Sequence, residues 1–362
     1  MPQGEAFWNP YRMIPVRNTI SKKAPLTDEK FKGKSGILSC SLENLTPLFI
    51  GKNRYNSQKF LTRDGNYVIP GSSIKGMLRS IAELVGGGCL VTDPKGRYSL
   101  QNKACDDSRK LCIACRMFGM MERDRGARVH KGNISIGDAL LQEERPETIL
   151  FEVLLANCGV RHEPFYRTPQ AGTLDGKSYK FYFHQPKRID SIPKVPPNLK
   201  SRAWNIDALT PGHHFDFKVQ FSNLHDEELE LLAYVLDLEE KVGVKIGDNQ
   251  LKLQGPLRHK IGNAKPLGLG SCHLIVERLV YHASPQKRFA SLKETGDQIY
   301  DGKLLRDEIN KLKEKFINDS AETMQQFRKM MIWDENDPRD FRYPDWHWFQ
   351  ESASANKVLK KI

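Results

Sequence analysis

Four cysteines raise the first chemical question. Cys105-x6-Cys112-x2-Cys115 is the tightest grouping in the chain, and Cys89 lies sixteen residues before Cys105. A Cys-x2-Cys pair lets two thiolates share one tetrahedral ion, with two further ligands supplied from nearby. Cys89 and His130 are the candidates for the fourth position. The residues between them are polar and lack a core of their own, so a metal would organise them. Buried or redox-active thiols are the alternative, although such polar surroundings do not bury thiols well. No HExxH arrangement or glutamate beside an open site is present, so the ion expected is structural zinc.

The second candidate is Val-Ile-Pro-Gly-Ser-Ser-Ile-Lys-Gly-Met-Leu-Arg-Ser, residues 68–80. A β-prone approach meets the turn pair Pro70-Gly71, and Ser72 or Ser73 can then cap a helix through Ile74, Met77, Leu78 and Ile81. The free backbone N–H groups of such a helix start, with Lys75 and Arg79 on the helix, suit an anion, a phosphate above all. Ordinary helix capping uses the same residues. A third stretch, Lys265-Pro266-Leu267-Gly268-Leu269-Gly270-Ser271, allows close backbone approach to a ligand, and Lys260 and Lys265 add charge. No helix follows it, so it is neither a dinucleotide fingerprint nor a Walker loop. A lone Gly-x-Gly is also a common turn.

The bulk composition sets the context for these residues. The chain has 362 residues, enough for one elaborate domain or two smaller ones. Its 56 Lys and Arg against 44 Asp and Glu give a net charge of +12, which favours a polyanionic partner, nucleic acid before membrane. No run of eighteen apolar residues occurs, and the opening MPQGEAFWNPYRMIPV lacks signal-peptide architecture. Seven cysteines, mostly in one cluster, fit a reducing cytoplasm and a metal better than a disulfide framework.

The elements that would position the candidates can be read in order. Segment 36–50 has strand composition, with Ile37, Leu42 and Leu45 as expected core residues. A polar loop, 51–66, carries Lys52, Arg54, Lys59 and Arg63, and the helix at 72–85 follows. Strand-like segments occupy 132–141 and 148–160. Stretch 161–203 interleaves Arg161, His162, Arg167, Lys180 and other cations with Phe165, Tyr166, Tyr179, Phe181, Tyr182 and Phe183. It reads as a long projecting hairpin with SYKFYFHQ as one β-arm, suited to phosphate contact and base stacking. The alternative is a solvated loop whose rings pack back on the domain. Segment 213–221 alternates as a strand, and Asp226 can cap a helix over 227–238. From Lys303 to Ile332 the chain reads as charged helix, and the rings of RYPDWHWF are expected to dock on the body. The order predicts an α+β fold built on a ferredoxin-like βαββαβ unit, its loops enlarged by a metal insert and the hairpin.

In order, IPGSSIKGMLRS (69–80), CIACRMFG (112–119) leading to KGNISIGDA (131–139), and KPLGLGS (265–271) resemble the RAMP superfamily of CRISPR-associated proteins. The nearest likeness is to the backbone subunits of type III effector complexes, III-D among them. FWNPYRMIPV and residues 209–232 also look like that group, so the resemblance spans roughly residues 7–280. It implies a modified RNA-recognition-motif core over 1–285, with a zinc insert at about 86–130, a β-hairpin thumb at about 161–205, and a helical and aromatic extension over 286–362. It further implies a cytoplasmic, prokaryotic RNA-binding protein. Its partners would be CRISPR RNA, complementary target RNA, other RAMP subunits and a large signature subunit.

By the same resemblance Gly71, Ser72, Ser73, Lys75 and Arg79 face the guide backbone. Lys52, Arg54, Arg161, Arg167, Lys265, Gly268 and Gly270 add RNA contacts, and Cys89, Cys105, Cys112 and Cys115 hold Zn2+, with His130 in reserve. Target-cleaving members carry an aspartate in the loop between first strand and first helix. Here the place of that aspartate falls around Ser57-Gln58, and from Gly51 to Asn66 the one carboxylate is Asp64, in the turn Arg63-Asp64-Gly65. Cleavage by a 2′-hydroxyl needs a base or an aligning group, and glutamine can only position. The expectation is an RNA-holding subunit that does not cut. A metal-dependent target-RNA endoribonuclease using Asp64, or a processing enzyme using His162, His184 or His259, is the alternative.

Overall fold

The computed structural model describes residues 7–17, 20–27, 29–51, 59–90, 104–122, 128–155, 162–166, 178–188, 194–248, 250–290, 296–360 and 362. Its principal elements, in chain order, are β1 (Tyr11–Pro15), β2 (Lys34–Asn44), β3 (Asn66–Ile69), α1 (Gly71–Val85), α2 (Ile113–Phe118), β4 (Ile134–Ile136) and β5 (Ala139–Leu141). There follow β6 (Thr148–Val153), β7 (Ser178–Tyr182), β8 (Trp204–Leu209), β9 (His214–Leu224), α3 (Asp226–Leu236), β10 (Ser271–Tyr281), α4 (Gly302–Ile317) and α5 (Glu322–Met331).

Alternation of apolar and polar side chains builds the central antiparallel sheet, in the order β10–β2–β9–β5–β3, with β4 also paired to β9. Leu38, Cys40 and Leu42 of β2 and Phe215, Phe217, Val219 and Phe221 of β9 share one buried cluster with Ile74, Leu78 and Ile81 of α1 and Leu229 and Leu232 of α3. This is an α+β arrangement. Cys40 lies opposite both Phe217 and Val276, which fixes the inward face of the sheet. Ile37, expected inside, therefore belongs to the opposite face and is half-buried, as is Leu45 beyond the strand.

Helix α1 forms where expected because Ile74, Met77, Leu78, Ile81 and Val85 recur at helical spacing. It starts at Gly71, ahead of Ser72 and Ser73, and neither serine caps it. Asp138, between β4 and β5, takes that role by accepting the Gly71 N–H at 2.8 Å. Helix α3 likewise begins at Asp226, and the Glu228 carboxylate accepts the His225 N–H at 2.9 Å.

The 161–203 stretch departs from the expected projecting hairpin. Its flanks pair as β6 with β8, Phe151 opposite Ile206. Ser178–Tyr182, expected as a β-arm, instead pairs with Tyr11–Pro15, Tyr182 opposite Tyr11. Phe181 and Phe183 sink into the main cluster, and Phe165 and Tyr166 pack on Tyr11. Burying large rings removes more apolar surface from water than stacking them on an exposed arm, and these four lie inside.

The C-terminal charged stretch forms two helices. They part at Asn318–Ala321, where Asp319 accepts the Ala321 N–H at 2.9 Å and pairs with Arg17. Leu305, Ile309, Leu312 and Phe316 of α4 and Met324, Phe327 and Met330 of α5 belong to the same cluster as the sheet. Beyond them Trp348 packs against Phe7, His162 and Phe165, so its ring docks on the body as expected.

Candidate metal centre and nucleic-acid interface

Helix α1 ends at Gly86, and the chain turns so that Cys89 faces the start of α2. Cys112 is the residue before α2 and Cys115 lies in its first turn, while Cys105 comes from the preceding loop. The Sγ atoms of Cys89, Cys105, Cys112 and Cys115 all lie within 4.8 Å of one another, and all four residues are buried. Cys89 and Cys115 Sγ are 3.6 Å apart. Sulfurs on a tetrahedron with metal–sulfur bonds of about 2.3 Å stand roughly 3.8 Å apart, so the arrangement fits one ion. Backbone amides support it: Cys89 N–H donates to Cys112 Sγ at 3.4 Å, and Cys112 N–H to Cys105 Sγ at 3.3 Å. Four thiols packed this closely conflict in their protonation. Hydrogen bonds from Cys105, Cys115 and Cys89 hold Cys112 down, and those from Cys105 and Cys112 push Cys115 up. A divalent ion bound by all four removes the conflict. The soft donor set could therefore hold a metal ion. His130 is not in this group; its Nε2 lies 2.8 Å from the Arg116 carbonyl oxygen, to which it can donate.

The helix-start candidates divide on inspection. Gly71 is buried and its N–H is used by Asp138, whose carboxylate also pairs with Arg63. Ser72 and Gly76 are exposed on one face of α1, with Ser73 and Lys75 half-buried. Lys75 Nζ donates to the Ile134 carbonyl at 3.2 Å. Burial, then Arg79 and Lys131, lower its pKa, which places the exposed Lys131 close by. Lys131 opens the quoted KGNISIGDA motif but had no role there; its proximity to Lys75 depends on the turn at Gly132. Arg79 turns the other way. Its Nε donates to Glu83 at 2.7 Å and Nη1 to the Gly119 carbonyl at 2.8 Å, and Nη2 reaches Cys115 Sγ at 3.5 Å. It thus faces the cysteines.

The glycine segment 265–271 is wound on itself. Gly268 and Gly270 are buried, and a Cβ on Gly270 would stand 1.8 Å from the Ile261 carbonyl oxygen at a φ of +79°. Its glycines therefore serve backbone packing. Lys265 is half-buried in a single 3₁₀ turn. Beneath it Lys260 is buried, with Nζ 3.4 Å from the Gly268 carbonyl and 3.3 Å from Ser271 Oγ; burial, then Lys265, depress its pKa to about 7.

The remaining candidates take separate places. Asp64 has φ +51° and forms with Gly65 the two-residue turn joining Thr62–Arg63 to Asn66–Tyr67, a conformation Asp-Gly favours. His162 Nε2 bonds the Lys357 carbonyl at 3.0 Å, His184 is buried between Ser271 Oγ and the Arg258 carbonyl, and His259 is buried on the Val235 carbonyl. Lys52, Arg54, Ser57, Gln58, Arg161 and Arg167 lie outside the described residues. Among the described residues no helix is long and apolar enough to cross a membrane.

The sequence model of the RAMP superfamily matches residues 41–272, a span that takes in α1, all four clustered cysteines and the glycine segment. No curated protein matches the chain.

Proposed function

Because the chain belongs to the RAMP superfamily, we propose that it is an RNA-binding backbone subunit of a type III CRISPR effector complex, of the III-D kind. In this reading it grips CRISPR RNA and shapes its duplex with target RNA without cutting either. The observation that carries the reading is the strip Ser72, Lys75, Gly76 and Lys131 at the start of α1: exposed small residues flanked by two cations. A small-residue face admits a ribose-phosphate chain closely, and lysines neutralise it without reading bases. Such contacts suit a subunit that must accept any guide sequence. Lys265 adds a further cation in the glycine segment. The order β10–β2–β9–β5, with helices after β2 and β9, is that of a ferredoxin-like βαββαβ core and supports the same assignment. The four cysteines would hold a structural Zn2+ in a closed site that offers no open coordination position. Asp64 is committed to a turn, and Asp138 to Gly71 and Arg63. Neither carboxylate is arranged as a base in this reading. Other RAMP subunits, target RNA and a large signature subunit are its proposed partners.

Titrating the full chain with a CRISPR RNA across a salt series tests the reading. Lys75→Glu with Lys131→Glu should weaken binding and flatten log Kd against log salt by about 2, one unit per lost phosphate contact. Unchanged affinity and slope in a folded double variant would overturn the proposed seat. Target cleavage by the reconstituted complex that disappears with Asp64→Ala would overturn the non-cutting role.

A further inference from the structure

Arg79 stands where the metal centre meets the rest of the molecule. Its guanidinium serves three partners at once: Glu83 Oε1, the Gly119 carbonyl and Cys115 Sγ. Glu83 is buried, and its other oxygen accepts the Tyr179 hydroxyl at 2.9 Å. Tyr179 belongs to β7, the strand that returns the long excursion to the body and pairs with β1. A continuous chain of polar contacts therefore runs from a cysteine sulfur, through α1, to a strand of the excursion.

We propose that Arg79 is a positioning residue of the metal centre, clamping the Cys115 thiolate and, through Glu83 and Tyr179, tying the cysteine cluster to β7. The inference rests on the metal-binding part of the function proposed above and is independent of RNA binding. Four thiolates on a divalent ion leave a net charge of −2, and a charge-assisted N–H···S bond from a guanidinium spreads that charge. The planar fork can hold Glu83, Gly119 and Cys115 in fixed directions, which a lysine ammonium on a flexible stem cannot. A cavity of about 450 Å³ lies beside the cluster, lined by Arg79, Glu83, Cys89, Cys105, Cys115 and Tyr179 among others. It is the path by which water or a competing chelator reaches the sulfurs, and Arg79 forms part of its wall.

The test uses the purified full chain loaded with Zn2+, or with Co2+ for its thiolate absorption band, and follows metal release into excess EDTA. Arg79→Gln should release metal at least about tenfold faster, the usual effect of losing an outer-shell partner. Arg306→Gln, the same change on an exposed face of α4, should release at the parent's rate. Tyr179→Phe leaves the thiolate contact intact, so it should release metal near the parent's rate while amide exchange over 178–182 rises. Parental release from folded Arg79→Gln overturns the proposal, as does equal acceleration by Arg306→Gln. Should Arg79→Gln fail to fold, Arg79→Lys keeps the charge without the fork. Its release should lie above the parent's, and equality overturns the proposal there too. A chain that takes up no metal refutes the metal reading itself, and this inference with it; metal bound but indifferent to Arg79 refutes the inference alone.

Discussion

Two glycines in one helix have opposite meanings. A Cβ on Gly71 would stand 2.2 Å from the Ile136 carbonyl oxygen and 2.7 Å from that of Gly137, because the start of α1 is pressed against the β4–β5 link. At Gly76 an added Cβ meets nothing within 4 Å. Gly71→Ala should therefore lower stability by about 1–3 kcal/mol in a urea titration, the range of overpacked sites. Gly76→Ala should raise it by about 0.5–1 kcal/mol, the helix preference of alanine. If the exposed strip holds a ribose-phosphate backbone, the same Gly76→Ala should weaken RNA binding. A variant more stable and equally tight would count against close approach there.

At the scale of elements, the tail helices are structural partners of the sheet. Phe327 of α5 is fully buried and meets Phe181 of β7 edge-on, with centroids 6.1 Å apart. On the neighbouring helix, Phe316 of α4 stacks on Tyr234 of α3 at 5.0 Å. Phe327→Ala should cost about 3–5 kcal/mol, seen as a fall in Tm. A loss below 1 kcal/mol would mean that α5 is peripheral. The charged composition of 302–332 obscured this role, since amphipathic spacing shows that a helix buries one face but does not say against what. The excursion misled for the same reason. SYKFYFHQ has strand character, yet the sequence did not disclose that its partner is the strand at Tyr11–Pro15, far away along the chain. Asp138 escaped notice as the cap of α1 because it approaches from another element.

Across the whole molecule, the net charge of +12 coexists with bases buried in the fold. His259 is pushed down to about 4 by burial, and His184 lies well below its ordinary range, chiefly through burial and then Lys260. A base whose folded pKa lies below its unfolded value is bound more readily by protons in the unfolded chain. Between about pH 6.5 and 4, stability should fall as pH falls, by on the order of 3 kcal/mol for His259 alone. Thermal unfolding across that window checks the slope, and His259→Gln, which can still donate to Val235, should flatten it. Lys260 acts with the same sign at higher pH: its pKa of about 7 means stability rises from there toward the unfolded lysine range. By itself the sequence determined the local periods, the cysteine spacing, the helix after Pro70-Gly71 and the ordered family motifs, because these depend on neighbours along the chain. The tertiary structure alone decided which side chains meet. It drew Cys89 and Cys105 onto the Cys112–Cys115 turn, placed Arg79 against Cys115, put Lys131 beside Lys75, and buried the rings of the excursion. Those meetings join segments distant in sequence, and packing of the whole core, which no local pattern encodes, selects them.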